Sequence, residues 1–445
     1  MGEAMRDEGD TTVRTDGTGA PLSGERELTV ELVLGRRYLG RHALRGQRLR
    51  VGRGPDCHVR VDHASVSREH VELYRQGPIV AFRDLESTNG CHLNGRPAPQ
   101  GVVAAGDVLR FGECIGIVRE RTALEDGEPF GELAPGLFGG AALRAVLSSL
   151  RAAARSDIPI MLVGATGCGK ERVAQAIHQF SERSGRFHAL NCATLPTTLA
   201  EAELFGCQRG AFTGADRART GHLRAAHLGT LFLDEVAELP LAVQGKLLRA
   251  LEEHVVIPLG DTESVEANAR IVVATQEPLG EAVARKTFRS DLFARLAGFR
   301  IDLPLLRNRR AEIPGLFFHF LDRYAPGATF RIEARLVERL CLHEWPGNVR
   351  ELELFTRKLL ALHGNEPVLR GNFGRECLEG ANGSTVPSAS EPPVSKASSR
   401  RDHDLTKLRA ALAGNNGNMS AAARSAGISR RRAYRLLDPD RNGRT

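Results

Sequence analysis

The sequence predicts a multidomain chain: an all-β sandwich, then an α/β module with an all-helical appendage, then a small all-α unit. Three observations carry that reading. Short apolar runs (LTVELVL, RLRVG, HVRV, HVELYR, IVAFRDL, HLNG, DVLRFG) recur between about 27 and 120 with turn signals between them, the rhythm of a sandwich. From about 136 to 305, apolar strands (IPIMLVG, TLFLDE, ARIVVAT) alternate with helical stretches such as ERVAQAIHQF and AVQGKLLRALEE, which argues for a parallel sheet. Residues 310–370 read as helical throughout, with LVERLCLHEW and VRELELFTRKLLALH as amphipathic candidates.

The remaining stretches follow from composition. Residues 1–25 are rich in Gly, Thr and Asp and lack the basic and apolar regions of a signal peptide, so they read as a disordered leader. GANGSTVPSASEPPVSKASS cannot bury a core and reads as a flexible linker. LTKLRAALAG, SAAARSAG and SRRRAYRLL form three short helical patterns after it. No apolar run approaches the roughly 20 residues that span a bilayer. The eight cysteines are scattered without a C-x-x-C pair, which points to a reducing cytoplasm and away from a metal centre. Residues 400–445 hold eleven Arg/Lys against four Asp, an excess equal to the net +7 of the whole chain. A basic tail suggests a polyanion partner.

Within the α/β module, Met161-Leu162-Val163 leads into GATGCGKE, a glycine loop between a strand and a helix. Gly164, Gly167 and Gly169 let backbone N–H groups turn toward phosphate oxygens, and Lys170 can reach the outer phosphates. The candidate ATP contacts are therefore Gly164, Ala165, Thr166, Gly167, Cys168, Gly169, Lys170 and Glu171. The generic loop has Ser or Thr after its lysine to hold Mg²⁺; here Glu171 stands there. In GTLFLDE a buried strand ends in two carboxylates. Asp234 suits Mg²⁺ coordination and Glu235 suits polarising the attacking water. Between the two motifs lie Gly210, Ala211, Phe212, Thr213, Gly214 and Ala215, a small-residue loop with one aromatic and one hydroxyl. It is expected to move as a unit and to present Phe212 to a partner.

Residues about 136–370 resemble the AAA+ module of sigma-54-dependent transcriptional activators (bacterial enhancer-binding proteins). The resemblance rests on LNCATL, ELFGCQRGAFTGA, GTLFLDEVAELP, LLRALEE, FRSDLFARL and WPGNVREL, in that order. A Lys-Glu ending of the P-loop is typical of that family. The resemblance implies that Asn191 is a switch residue sensing γ-phosphate through Glu235. It makes Arg289 and Arg295 arginine fingers for a neighbouring subunit, and Arg350 a lid arginine reading nucleotide state. Thr275, on the sensor strand, joins the ATP-binding set, and Gly210 to Ala215 become the contact with sigma-54. Trp345, the only tryptophan, is expected to pack the lid. The family usually has Asn where this chain has Gln276, and His-Glu where it has Cys207-Gln208.

The N-terminal motifs VGR, SVSREH, DLESTNG, LNG and GDVLRFG resemble a forkhead-associated (FHA) domain. That implies a phosphothreonine reader in which Arg53, Ser67, Arg68, Thr88 and Asn89 contact the peptide, while His70 and Gly52 brace the loops. NNGNMSAAARSAGISRRRAYRLL resembles a Fis-type helix-turn-helix, with Ser429 as N-cap and Arg430, Arg431, Arg432, Tyr434 and Arg435 facing DNA. The expected boundaries are 1–25 leader, 26–121 FHA domain, 134–305 AAA+ α/β P-loop NTPase subdomain, 306–372 helical lid, 378–401 linker and 402–441 helix-turn-helix. The expected function is activation of sigma-54 RNA polymerase with ATP and Mg²⁺. The resemblance implies a hexamer on upstream enhancer DNA, cytoplasmic and nucleoid-associated, regulated through a phosphothreonine protein such as a Ser/Thr kinase or its target. A repressor or scaffold with an inactive ATPase, and a remodeller acting on another partner, are the alternatives.

Overall fold

The computed structural model describes residues 27–44, 48–76, 79–121, 130–212 and 215–379, with positions 407–408, 411–412, 419–429 and 433 beyond them. Thr213, Gly214, Arg430, Arg431, Arg432, Tyr434 and Arg435 lie outside the described residues, as do the leader and most of the linker.

The N-terminal unit is the expected sandwich. One sheet runs Arg37–Ala43, Leu28–Leu34, Cys114–Glu120, Val108–Phe111, Cys91–Leu93, Arg96–Pro97 in spatial order; the other runs Val59–Arg60, Leu49–Gly52, Val71–Gln76, Ile79–Asp84, Gln100–Val103. Alternate residues of each strand fill the space between the sheets, including Val30, Leu32, Leu73, Phe82, Leu109 and Phe111. The outer face of the first sheet is apolar too. Val33, Val108, Ile115 and Ile117 join a core with Leu306, Ile313, Phe317 and Leu340 of the helical unit.

Polar contacts stitch that seam. Arg110 Nε donates to Glu338 Oε2 at 2.8 Å, with both residues buried. Arg310 Nη1 donates to the Gly106 carbonyl at 2.8 Å, and the Tyr38 hydroxyl donates to the Ala311 carbonyl at 3.2 Å. The Ala334 N–H donates to Glu113 Oε2 at 2.8 Å, and Arg36 pairs with Asp322.

The α/β unit carries a five-stranded parallel sheet in the order Phe187–Asn191, Thr230–Asp234, Arg270–Thr275, Ile160–Val163, Phe299–Asp302. The apolar runs read as strands are these central strands, buried on both faces as parallel sheets are. A hairpin of Phe130–Ala134 and Leu137–Gly140 precedes the first helix, so ordered structure begins before residue 134. The lid comprises Ile313–Tyr324, Ala334–Leu342, Asn348–His363 and Gly371–Glu379. Its last helix runs past the expected end at 372 and two residues into the stretch read as linker. Helical packing explains the extension: Cys377 is buried in the lid core and Leu378 packs against it.

Toward the C-terminus, Met419–Ser425 is helical, and Gly427 at φ +68° ends it in the left-handed conformation that glycine takes without strain. Leu408, Leu412, Ala422, Ala423 and Ala433 bury against Ile79 and Val102 of the sandwich. Among the described residues no helix is long and apolar enough to cross a membrane.

Candidate functional site

The P-loop leaves the strand Ile160–Val163 at its C-terminal end, the side on which open parallel sheets bind ligands. Gly164 N–H is fixed by the Thr275 carbonyl at 3.1 Å. Gly167 and Gly169 take φ of +75° and +103°, so the loop needs glycine at both. Lys170 opens the following helix and is buried, 6% exposed. Its ammonium donates to the Gly164 carbonyl at 2.9 Å and to Glu235 Oε1 at 3.3 Å. A buried cation lying between a carbonyl and a carboxylate at the end of a glycine loop is a ready phosphate partner.

Asp234 and Glu235 stand beside it at the end of Thr230–Asp234. Burial raises the pKa of Asp234, opposed by the nearby Lys170 charge. Glu235 holds φ +51°, left-handed for a residue with a Cβ, which aims its side chain back across the sheet end. Gln276 bridges the site: its Nε2 donates to Glu235 Oε1 at 2.8 Å and its Oε1 accepts from Thr166 Oγ1 at 2.8 Å. The glutamine that replaces the usual asparagine therefore ties the P-loop to the acidic strand end.

The lid closes over the P-loop through backbone. Val349 N–H donates to the Gly167 carbonyl at 2.9 Å, and Asn348 Nδ2 donates to the Thr166 carbonyl at 3.0 Å. A Cβ on Gly167 would lie 2.2 Å from the Gly347 carbonyl oxygen. Gly167→Ala is thus expected to weaken nucleotide binding by tenfold or more, since φ strain of about 1–3 kcal/mol adds to the clash. Titration with a fluorescent ATP analogue checks it, and unchanged affinity would show that the approach relaxes. Arg350 is exposed beside this contact, its Cβ 3.1 Å from the point that a methyl group on Gly167 would occupy. Trp345 packs the lid as expected: it is 1% exposed, its Nε1 donates to the Leu340 carbonyl at 2.8 Å, and it meets Phe355 edge-on.

A buried lysine, two strand-end carboxylates and a lid pressed on a glycine loop form a nucleoside triphosphate site, and the comparisons agree on which kind. Residues 138–302 match the sigma-54 interaction domain, residues 307–390 the AAA+ ATPase lid domain and residues 49–112 the FHA domain. The chain belongs to the sigma-54-dependent regulators. It is 41% identical over 298 residues to the transcriptional regulatory protein GlrR of Escherichia coli (strain K12), covering 66% of this chain and 65% of that one. It is 36% identical over 299 residues to the DNA-binding transcriptional regulator NtrC of Rhizobium meliloti (strain 1021), covering 65% and 60%. The structure of NtrX from Brucella abortus in complex with ADP superposes with a TM-score of 0.50 at 31% identity, covering 67% and 68%. This chain spans less than two thirds of the length of the curated relatives it matches.

Other residues that the sigma-54-dependent family implies fall as follows. Asn191 lies beside Asp234 in the parallel register, but its Oδ1 accepts from the Ala193 N–H at 3.0 Å. No Asn191–Glu235 hydrogen bond forms among the described residues; Gln276 and Lys170 hold Glu235 instead. Arg289 and Arg295 are both exposed. Arg289 is held by Asp291 in a bidentate pair at 3.0 and 2.7 Å, and Arg295 Nη2 donates to the Leu251 carbonyl at 3.2 Å.

The loop carrying Gly210, Ala211 and Phe212 rises from a hairpin of Gly206–Cys207 and Arg219–Thr220. Gly210 N–H donates to the Ala215 carbonyl at 2.8 Å, which pinches its neck. Phe212 is half-buried. Gln208, one of the departures, donates through Nε2 to Asp261 at 2.6 Å, and its N–H donates to the Leu259 carbonyl at 2.9 Å. The loop base is thereby fastened to the turn at 258–261.

In the FHA domain, Ser67 Oγ accepts from the Thr88 N–H at 3.1 Å, bringing two loops together. Arg53 N–H donates to the Ser67 carbonyl at 2.8 Å, while Arg53, Arg68, Thr88 and Asn89 are exposed. Asn89 Nδ2 donates to the Ser65 carbonyl at 2.8 Å, so this side chain also supports the loop. His70 is fully buried, its Nδ1 accepting from the Ser67 N–H at 3.1 Å, and a Cβ on Gly52 would lie 2.3 Å from the Arg68 carbonyl oxygen. Both brace the loops. His70, Asp84 and Cys91 also converge, with ligand atoms within 4.8 Å of one another, a cluster that cysteine spacing did not foretell. Asp84 already accepts from the Ser87 N–H at 2.7 Å and its hydroxyl at 2.8 Å, which makes this group a brace as well.

Sequence reasoning missed two residues. Asn348, at φ +53°, accepts from the Leu306 N–H at 2.9 Å besides gripping Thr166; its place after Gly347 was the available signal. Arg309 is buried, pairs with Glu312 at 3.2 Å and donates to the Cys168 carbonyl at 3.2 Å. Nothing in the run RNRR distinguishes it from surface arginine.

Proposed function

We propose that this chain is an ATP-dependent activator of sigma-54 RNA polymerase, gated by its FHA domain. The observation that carries the proposal is Lys170 held between the P-loop and Glu235, with Asp234 beside them and the Phe212 loop on the same module. Asp234 is the carboxylate placed to hold Mg²⁺; its half-buried position among oxygen donors fits a hard divalent cation, which would neutralise phosphate charge. The P-loop amides and Lys170 bind the phosphates of ATP. Glu235 takes the proton from the attacking water while Gln276 fixes its carboxylate. Arg289 and Arg295, once released from Asp291 and Leu251, reach the site of an adjoining subunit in a hexamer and stabilise the transferring phosphoryl group. Hydrolysis then moves the Gly210–Ala215 loop, Thr213 and Gly214 included, against sigma-54.

Ser429 with Arg430, Arg431, Arg432, Tyr434 and Arg435 binds enhancer DNA, placing the protein on the nucleoid. Arg53, Ser67, Arg68, Thr88 and Asn89 read a phosphothreonine on a kinase or its target. A route for gating supports this reading. Arg309 reaches the P-loop at Cys168 and its neighbour Arg310 reaches Gly106 of the sandwich, so both units grip the segment Leu306–Glu312.

The test is hydrolysis by the purified full chain with Mg²⁺, with Lys170→Ala as the inactive control. A chain that hydrolyses no ATP would overturn the proposal in favour of a DNA-binding scaffold. For the FHA domain, Ser67→Ala and Arg68→Ala are each expected to weaken phosphothreonine-peptide binding about tenfold or more, the loss of one charge-assisted hydrogen bond. Calorimetry with phosphorylated and unphosphorylated peptides checks it; equal affinity for the two would remove phosphate from the account.

A further inference from the structure

We propose that the cleft between the sandwich and the lid is a second anion site, taking a small polyphosphate, bare or carried on a nucleoside, independently of the P-loop. The cleft encloses about 680 Å³, in the size range of small-molecule sites. Four arginines converge on it from separate elements: Arg110 from the sandwich, Arg335 and Arg339 from the lid helix Ala334–Leu342, and Arg375 from the last lid helix, with the His92 and His343 rings beside them. One carboxylate, Glu338, is in the wall; its Oε2 accepts from Arg110 at 2.8 Å, and its buried Oε1 has no hydrogen-bond partner among the described residues.

Two of these charges lack compensation. Arg335 and Arg339 stand one helical turn apart, where like charges repel, and neither forms an ion pair with a carboxylate among the described residues. Arg339 Nε and His92 Nδ1 are both buried with no hydrogen-bond partner among the described residues. A buried donor left unsatisfied is costly, and a bound oxygen acceptor removes that cost. Arginine forks match phosphate geometry and keep their charge at any physiological pH. Burial, then the charge of Arg110, lowers the His92 pKa, so the ring meets a ligand as a neutral donor or acceptor.

Pro97, Leu342 and Leu378 supply apolar wall beside these cations, a surface suited to the flat face of a base. The chemistry is distinct from both sites above. None of Arg53, Ser67, Arg68 and Thr88 lines the cleft, and no P-loop residue does. A ligand here bridges the two halves of the seam, adding to the contact between Arg110 and Glu338.

The test uses the full-length Lys170→Ala protein, whose P-loop lacks its phosphate-binding ammonium. It is titrated with MANT-labelled ADP and MANT-labelled GDP by fluorescence, and with inorganic pyrophosphate by calorimetry. The expected result is one saturable site per chain for at least one of the three, weakened tenfold or more by R335E/R339E and less by R335K/R339K, which keeps the charge but removes the guanidinium forks and the Arg339 Nε donor. The nucleotide and pyrophosphate arms separate a nucleoside ligand from a bare polyphosphate. Absence of saturable binding to all three, or binding indifferent to R335E/R339E, overturns the proposal. A failed P-loop reading is told apart because wild type and Lys170→Ala then bind the same number of equivalents.

Discussion

Glu235→Gln is expected to lower kcat for ATP hydrolysis by about 10²–10⁴-fold, the usual contribution of a positioned general base. The substitution keeps the shape of the side chain and leaves an oxygen able to accept from Gln276 and Lys170, which now lie 2.8 and 3.3 Å from Glu235 Oε1. What it removes is the capacity to take a proton from water. Nucleotide affinity is therefore expected to stay within about threefold of wild type, because the phosphate contacts belong to the P-loop and Lys170. Steady-state phosphate release and titration with a fluorescent ATP analogue separate the two quantities. A fall in kcat of less than about fivefold would move the base elsewhere in the site. Gln276→Ala gives the accompanying result: it frees the carboxylate without deleting it, so kcat falls by less than in Glu235→Gln.

The second large effect is on the seam between the sandwich and the lid. Glu338→Ala leaves the Arg110 guanidinium buried without its partner; the two side chains are 8% and 9% exposed. Breaking a buried ion pair on one side costs about 3–5 kcal/mol, mostly from the stranded charge. The first thermal transition of the full chain is expected to fall accordingly. Replacing both members, Arg110→Met with Glu338→Leu, is expected to recover most of that loss, because desolvation of both ions disappears with them. A single substitution that costs under about 0.5 kcal/mol would mean that the seam opens in solution and hydrates the arginine.

The sandwich and the parallel sheet were legible in the sequence because each strand announces its period and each motif falls at a strand end. The way the units meet was not. Cys114–Glu120 is apolar on both faces, and its sequence cannot say that Ile115 and Ile117 face the lid while Cys114 and Val118 face the sandwich core. At the nucleotide site, Lys170, Asp234 and Glu235 could be named from short motifs whose chemistry is local. The Thr166–Gln276–Glu235 bridge could not, since it joins positions 110 and 41 residues apart. Asn191 is a further case: the resemblance names it a switch residue sensing γ-phosphate through Glu235, and in this structure its side chain accepts from the backbone of its own turn, a contact that the motif does not announce. The buried arginines Arg110, Arg270 and Arg309 look like any of the many surface arginines until their partners come from distant elements.

ATP turnover in this chain is expected to drive a sigma-54 promoter complex open. The most direct measurement is permanganate reactivity of melted promoter DNA with sigma-54 RNA polymerase, the full-length protein and either ATP or a non-hydrolysable analogue. Melting that requires ATP and this protein, and is lost in Phe212→Ala with ATPase retained, is the result predicted. Robust ATP hydrolysis with the promoter still closed would contradict the account.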